Sequence, residues 1–581
     1  SHDGTTISMS SSINAGGSNG TRGSVFIYKY INGNWSRFLG PTLYHNSTNT
    51  TQMKDTNYNR GKMNKTATAL IVGSGQWNSN RGYARISRLD NTANNITYYG
   101  SDYKRSINNV PNTHIPYEYY YGDINVAVNG DFNTASLYCF NHGYMGGQDI
   151  LKYYYSEWTQ LGGKIHGQTN EDYFGRQVKL NSTGNILIAS ADYADNINGT
   201  NSGLCRIFEY KALTQSEWNA GNKANFTYSD NVPIIVDPEN TWISNKKYWV
   251  QLGGDIIGNA AGDRLGHDSL GINAKGNRIS IPNREYDSSN LSNLGKTDVY
   301  QYNPSKTIAD NLGPIGWDRI GDSFIGNEAG ANAGGTDLDA SGNTLIMSHN
   351  HKNANGTNSG VARVYRYNEP SAAESLNYES QVGTVDSNGI KYTLNGTSTY
   401  VQSYGVNISN YKFVNIPESH PMAIVTPTLT PTNSKFKQIG ANIYSDQGYT
   451  DDYFSGRANS MNGYGNIIAT SGWHNNYDKN YVNVYEFDAS GAWNKLGNTI
   501  KQQILPNNDS DFGIMVSLNE NGYILGVTAR HDDNGPGNDA GCAEIFAYSY
   551  KGEWTQLGQT ILGANNASLL GEGGIQINKE G

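Results

Sequence analysis

Three cysteines in 581 residues are too few for a disulfide framework. No pair is spaced as a metal or redox motif, and Cys205 and Cys542 sit in apolar, strand-like runs, so they read as buried thiols. Charge is sparse as well: Asp, Glu, Lys and Arg make up 16% of the chain, the net charge is −9, and there is no basic stripe. Nucleic acid is therefore not an expected partner. No apolar run approaches the length of a membrane span. A P-loop, a GxSxG elbow and an HExxH helix are all missing, and with them any expected cofactor.

The chain is rich in Gly (68), Tyr (42) and Trp (10), together with Asn, Ser and Thr. That composition suits short strands joined by tight turns better than helices. A unit recurs with a spacing of about 60 residues, which points to a propeller or solenoid. Its tail is an aromatic residue followed by Leu or Ile and then Gly: Trp35, Trp158, Trp249, Trp317, Phe436, Trp493 and Trp554 head seven copies, and Ile96 to Gly100 reads as a degraded eighth. An Asp/aromatic-Gly segment follows several tails (Asp172 to Gly175, Asp263 to Gly266, Asp452 to Gly456, Asp511 to Gly513). Next come hairpin turns such as Asn181 to Gly184, Asn273 to Gly276 and Asn519 to Gly522, where the last Gly supplies positive φ. An apolar strand and an alternating strand complete the unit, as in Ile186 to Ser190 and Ile207 to Tyr210. The expected fold is all-β: one propeller of about eight four-stranded blades, ending near residues 40, 100, 162, 253, 321, 440, 497 and 558. A rim β insertion is expected over 370–432, and another repeat carries an insertion from about Lys211 to Lys247.

The pattern Phe174-Gly175, then Ala189-Ser190-Ala191, then a Gly-led alternating strand resembles the FG-GAP repeat of integrin-α-type propellers. The resemblance covers most of the chain and implies the fold rather than a function. Integrin repeats often carry an Asp-x-Asp-x-Asp-Gly calcium loop, and no repeat here has one. The two ends look complementary. Residues 569–581 read as a first strand and Ser1 to Ser10 as a hairpin and second strand, so one blade shared by both ends is expected to close the ring.

Because they repeat, the Asp residues read as turn caps and the Trp residues as packing between blades. His351, His474 and His531 fall at one aligned position past the second strand and are weak candidates for a metal site. Trp77, Trp473, Tyr119 and Tyr120 fall in loops and are candidates for glycan or partner contact. Asn-X-Ser/Thr sequons at Asn19, Asn46, Asn64, Asn95, Asn198, Asn225, Asn355, Asn395 and Asn407 are candidate glycosylation sites. The functional expectation is a non-enzymatic extracellular or virion-surface protein, structural or adhesive, that self-associates or binds other surface proteins or glycans. A viral attachment fibre and a glycan-binding or carbohydrate-active enzyme are the alternatives.

Overall fold

In a computed structural model of the chain, the described residues are 6–11, 24–31, 33–37, 59–64, 69–74, 81–90, 157–223, 232–236, 241–288, 290–349, 359–367, 436–444, 458–472, 480–502, 510–535, 537–564 and 568–577, with six two-residue strands between 104 and 152 and a few single positions. Seven antiparallel sheets carry the repeats among them, each built on a four-strand meander. Blade 1 takes Leu570–Ile577 as its first strand, then Thr6–Ser11, Ser24–Ile31 and Asn34–Arg37. Blade 2 runs Asn59–Met63, Ala69–Ser74, Tyr83–Asp90 and Glu157–Gln160. Blade 3 runs Val178–Leu180, Ile186–Ala191, Leu204–Ala212 and Lys247–Gln251; blade 4 runs Gly271–Ile272, Arg278–Asn283, Lys296–Tyr302 and Trp317–Arg319. Blades 5, 6 and 7 begin at Ala333–Leu338, Asn459–Met461 and Phe512–Leu518 and end at Phe436–Gln438, Trp493–Lys495 and Trp554–Gln556.

The expected eighth blade is corrected to seven. The fourth strand of blade 2 is Glu157–Gln160, so the stretch containing Ile96 to Gly100 is an interruption within one blade. Ile96 to Gly100 themselves lie outside the described residues. Arg88–Thr159, with Leu39–Pro41, forms a second compact unit, and its strands pair as three short ladders: Lys104–Arg105 with Tyr119–Tyr120, Thr134–Ala135 with Leu151–Lys152, and Tyr138–Cys139 with Gly143–Tyr144. The interruption in blade 3 carries a short helix, Gln215–Ala220, capped by Thr214, and a strand, Ile235–Val236, that extends the sheet beyond its fourth strand. The 370–432 insertion lies outside the described residues.

The sequence explains the strands directly. Second strands such as Ile186–Ala191, Thr344–His349 and Ile467–Gly472 are buried at every position, because a blade is covered on both faces by its neighbours. One core joins Ile186, Ile188, Cys205 and Ile207 of blade 3 to Leu270, Ile272, Ile279, Ile281 and Trp317 of blade 4. The tail Trp locks successive blades: the indole Nε1 of Trp317 donates to Leu252 O at 2.8 Å, that of Trp249 to Leu161 O at 2.7 Å and that of Trp35 to Leu557 O at 2.8 Å. The tail Gly is needed there, since a Cβ on Gly253 would stand 2.6 Å from the Trp317 ring.

The Asn turns make a second lock. Asn273 Oδ1 accepts from Asn277 N and Arg278 N at 3.1 and 3.0 Å, and its Nδ2 donates to Ser341 O of the next turn at 3.0 Å. Backbone bonds pass from turn to turn: Ser182 N to Ala274 O at 3.1 Å, Ala274 N to Ala340 O at 2.9 Å, Ala340 N to Gly463 O at 3.0 Å and Gly463 N to Glu520 O at 2.9 Å. At the other end of the blades, among the described residues, the loop after the second strand holds the next blade's lead-in loop, as where Leu265 N donates to Ser202 O at 3.1 Å and Leu570 N to Ala540 O at 3.0 Å. Cys205 and Cys542 are free and buried. No helix among the described residues is long and apolar enough to cross a membrane.

Candidate active site

In an antiparallel meander the start of the first strand, the end of the second and the start of the third share one end of the blade. At that end, between blades 3 and 4, a charged cluster is assembled from four loops. Arg176 leads into the first strand of blade 3, and Asp192 and Tyr193 follow its second strand. Arg264 and His267 lie in the lead-in of blade 4, and Glu285 follows that blade's second strand. The lead-in is tightly defined: Gly266 has φ 79°, and a Cβ there would press within 2.5 Å of Ser190. Ser190 Oγ donates to Gly266 O at 2.7 Å, and Gln177 Nε2 donates to His267 O at 2.8 Å, fixing the backbone that carries the imidazole.

Asp192 is fully buried, and its Oδ2 lies 2.7 Å from His267 Nδ1 and 3.0 Å from an Arg264 Nη. That Arg264 nitrogen is 2.9 Å from the same Nδ1. A guanidinium only donates and a carboxylate only accepts, so the proton on the imidazole is assigned from the remaining demand. Asp192 Oδ1 has no hydrogen-bond partner. The buried carboxylate therefore depends on Oδ2, and the arrangement that satisfies it best puts the proton on Nδ1, donating to Asp192. His267 Nε2 then carries a lone pair, on a side chain 13% exposed. Burial alone would push the Asp192 carboxyl up, but the His267 hydrogen bond and the Arg176 and Arg264 charges outweigh it and hold the group below its ordinary value.

Arg264 is held from three sides. Its other Nη donates to Glu285 at 2.9 Å, its guanidinium lies 4.2 Å from the centre of the Tyr193 ring, and Tyr193 packs on Tyr173 at 4.9 Å. Both Tyr173 and Arg264 adopt left-handed backbone, at φ 56° and 52°, which costs a side-chain-bearing residue roughly 1 kcal/mol each. Cys205 lies near Asp192, but burial and the Asp192 and Asp255 carboxylates push its thiol far up, so it is no nucleophile.

The other lead-ins show which parts are scaffold. Asp172 accepts from Gln168 N and Thr169 N at 3.1 and 2.7 Å, and Asp263 from Asn259 N and Ala260 N at 2.7 and 3.0 Å, so both cap turns. Asp511, which looks equivalent in sequence, instead pairs with Arg530 at 2.7 Å, and Ser510 takes the aligned place. The junction of blades 7 and 1 fills the positions of Asp192 and His267 with Arg530 and Glu572, an ion pair at 3.4 Å that holds no imidazole.

Of the residues singled out in the sequence, His531 Nδ1 lies 2.8 Å from Asp539, while His351, His474, Trp77 and Trp473 lie outside the described residues. Tyr119 and Tyr120 form one of the short strands of the second unit. No group of three His, Cys, Asp or Glu among the described residues is placed to hold a metal. Asn64 is corrected as a glycan acceptor: it is 1% exposed, its Oδ1 accepts from Ala69 N at 2.8 Å and its Nδ2 donates to Ser182 O at 3.0 Å. Asn198 is exposed, with Nδ2 donating to Gly258 O at 2.7 Å; Asn19, Asn46, Asn95, Asn225, Asn355, Asn395 and Asn407 lie outside the described residues. Sequence reading missed Asp192, Arg264, His267 and Glu285. The available signal was a break in the repeat: the residue after the lead-in Gly is His only in blade 4.

No protein-family profile and no curated protein matches the chain. Solved structures similar to it include a periplasmic gluconolactonase from Pseudomonas aeruginosa, at 11% identity and TM-score 0.40 over 96% of this chain and 97% of that one. A protein from Bacteroides uniformis provisionally named a 6-phosphogluconolactonase matches at 9% identity and TM-score 0.42 over 96% and 97%. A functionally unknown protein from Desulfotomaculum acetoxidans matches at 8% identity and TM-score 0.40 over 96% and 95%. The likeness is one of fold. The expectation of a non-enzymatic, adhesive or structural protein is corrected: it finds no support among these similar structures, two of which are named as lactonases, which are enzymes.

Proposed function

We propose that the protein is a hydrolase that opens a lactone or a related carboxylic ester, with His267 as general base. The observation that carries this reading is the 2.7 Å contact of buried Asp192 with His267 Nδ1, which leaves Nε2 free to take a proton. A water held at Nε2 loses a proton to it as the water oxygen bonds to the substrate carbonyl carbon. The carbonyl electron pair moves onto oxygen, giving a tetrahedral intermediate. The tetrahedral intermediate then expels the ester oxygen, which takes the proton back from the imidazolium, giving a hydroxy acid. Asp192 keeps its charge throughout and stabilises the imidazolium.

In this reading His267→Asn lowers kcat about 100- to 10,000-fold in a pH-stat assay of lactone opening, while the melting temperature stays near that of the wild type. Asp192→Asn lowers it comparably, by reversing the tautomer. Equal activity of the His267→Asn variant and the wild type would sink the proposal. The reading extends to two points of architecture. The repeat is related to the FG-GAP type, as its Phe174-Gly175 lead-in and Gly203-led third strand suggest. The ring closes through blade 1, which is supported by the antiparallel pairing of Thr6–Ser11 with Leu570–Ile577 and by the Trp35 bond to Leu557. A site of action outside the cytoplasm fits the exposed sequon at Asn198.

A further inference from the structure

We infer that this site takes an uncharged substrate and turns away an anionic one, with Glu285 as the residue that decides between them. The inference rests on the hydrolase reading above. The four loops that build the site (residues 167–177, 192–203, 258–270 and 284–295) hold eight acidic side chains against three basic ones. Each guanidinium stands beside a carboxylate: Arg264 is bonded to Asp192 at 3.0 Å and Glu285 at 2.9 Å, while Arg176 lies 4.0 Å from Asp192 and Arg284 3.8 Å from Asp268. A phosphate or carboxylate on the substrate would have to compete with these carboxylates, and taking Arg264 would strand Asp192, which is fully buried. Other aspartates of these loops are taken up as well. Asp172 and Asp263 cap their turns, Asp195 accepts from Asn201 N at 2.8 Å, and Asp287 accepts from Asn293 N at 2.6 Å.

Within the ion-paired cluster of Asp192, Arg176, Arg264 and Glu285, Glu285 is the most open member, 33% exposed against 18% for Arg264, 15% for Arg176 and none for Asp192. An arriving substrate meets a negative charge first, and like charges brought together at a desolvated contact are strongly disfavoured. Glu285 also orients Arg264, so Gln is the informative replacement: it keeps an acceptor for the guanidinium and removes the charge.

The test is steady-state kinetics of the full chain with two probes, an uncharged aldonolactone and the same lactone phosphorylated on its exocyclic hydroxyl. In the wild type kcat/KM is expected to favour the uncharged lactone by about tenfold or more, and Glu285→Gln is expected to shrink that ratio severalfold. Raising the ionic strength should shrink it too, for the part of the repulsion that water screens. A wild-type ratio near unity or favouring the phosphorylated lactone, or a ratio that Glu285→Gln leaves unchanged, overturns the inference and leaves the hydrolase reading standing. Opening of neither lactone removes that reading and the inference with it.

Discussion

A histidine's neighbours decide what it can do, and two histidines here show the contrast. His267 faces a buried carboxylate. His166, in the short strand Ile165–His166, has cations nearby instead: burial, then Lys164 and Arg81, lower its pKa from 6.5 to about 4. The folded chain therefore resists protonating His166 at a pH where the unfolded chain accepts the proton. Stability attributable to it is whole above pH 6.5 and falls away as the pH drops toward 4. Melting temperatures measured across that window should fall less steeply for His166→Gln than for the wild type; parallel curves would show that His166 does not contribute. The same dependence on surroundings explains what could be read from the sequence at this scale. The Asp of Asp172 and Asp263 read correctly as turn caps, because a repeated residue has a repeated job. Asn64 satisfied a sequon but sits in the same turn position as Asn181 and Asn273, where the amide is consumed by the turn. His267 and Asp192 lie 75 residues apart and meet only because two blades adjoin, so no local pattern announces them.

At the scale of elements, the described joints tie blade to blade at three levels: the indole of a tail Trp, the side-chain amide of the hairpin turn and the loop that grips the neighbouring lead-in; blade 5, whose tail is Phe436, has no indole to give. The first two were legible as recurrences, though not what they bonded to. Asn273 serves two elements at once, its own turn and Ser341 beyond it. Asn273→Ala should cost about 1–3 kcal/mol, by leaving buried backbone N–H groups and a carbonyl unpaired. An unchanged urea midpoint would refute this. Trp317→Phe keeps most of the apolar contact and loses the bond to Leu252 O, and should cost about 1–2 kcal/mol by the same measurement.

For the whole molecule, periodicity gave the class of fold and most blade boundaries. It erred by one blade because a tail-like segment inside an interruption cannot be told from a tail by composition. Register against a partner strand decides that, and register is a property of the sheet. The pairing of Leu570–Ile577 with Thr6–Ser11 gives those eight residues a role as the first strand of blade 1. A chain ending at Leu569 should lose cooperativity and melt well below the wild type, since Ile575 and Ile577 belong to the core formed with Ile7 and Met9. Melting within a degree or two of the wild type would argue that blade 1 does without it.

The large interruptions share one address. Those in blades 2, 3 and 5 all leave after the third strand and return at the fourth. The joints between neighbours use the other connections: the hairpin after the first strand, the loop after the second and the lead-in before it. The outermost hairpin is therefore the one place where the chain can lengthen without unpicking a joint. It is where evolution has room to experiment, and where an engineer would graft a foreign module while leaving the end that carries Asp192 and His267 untouched.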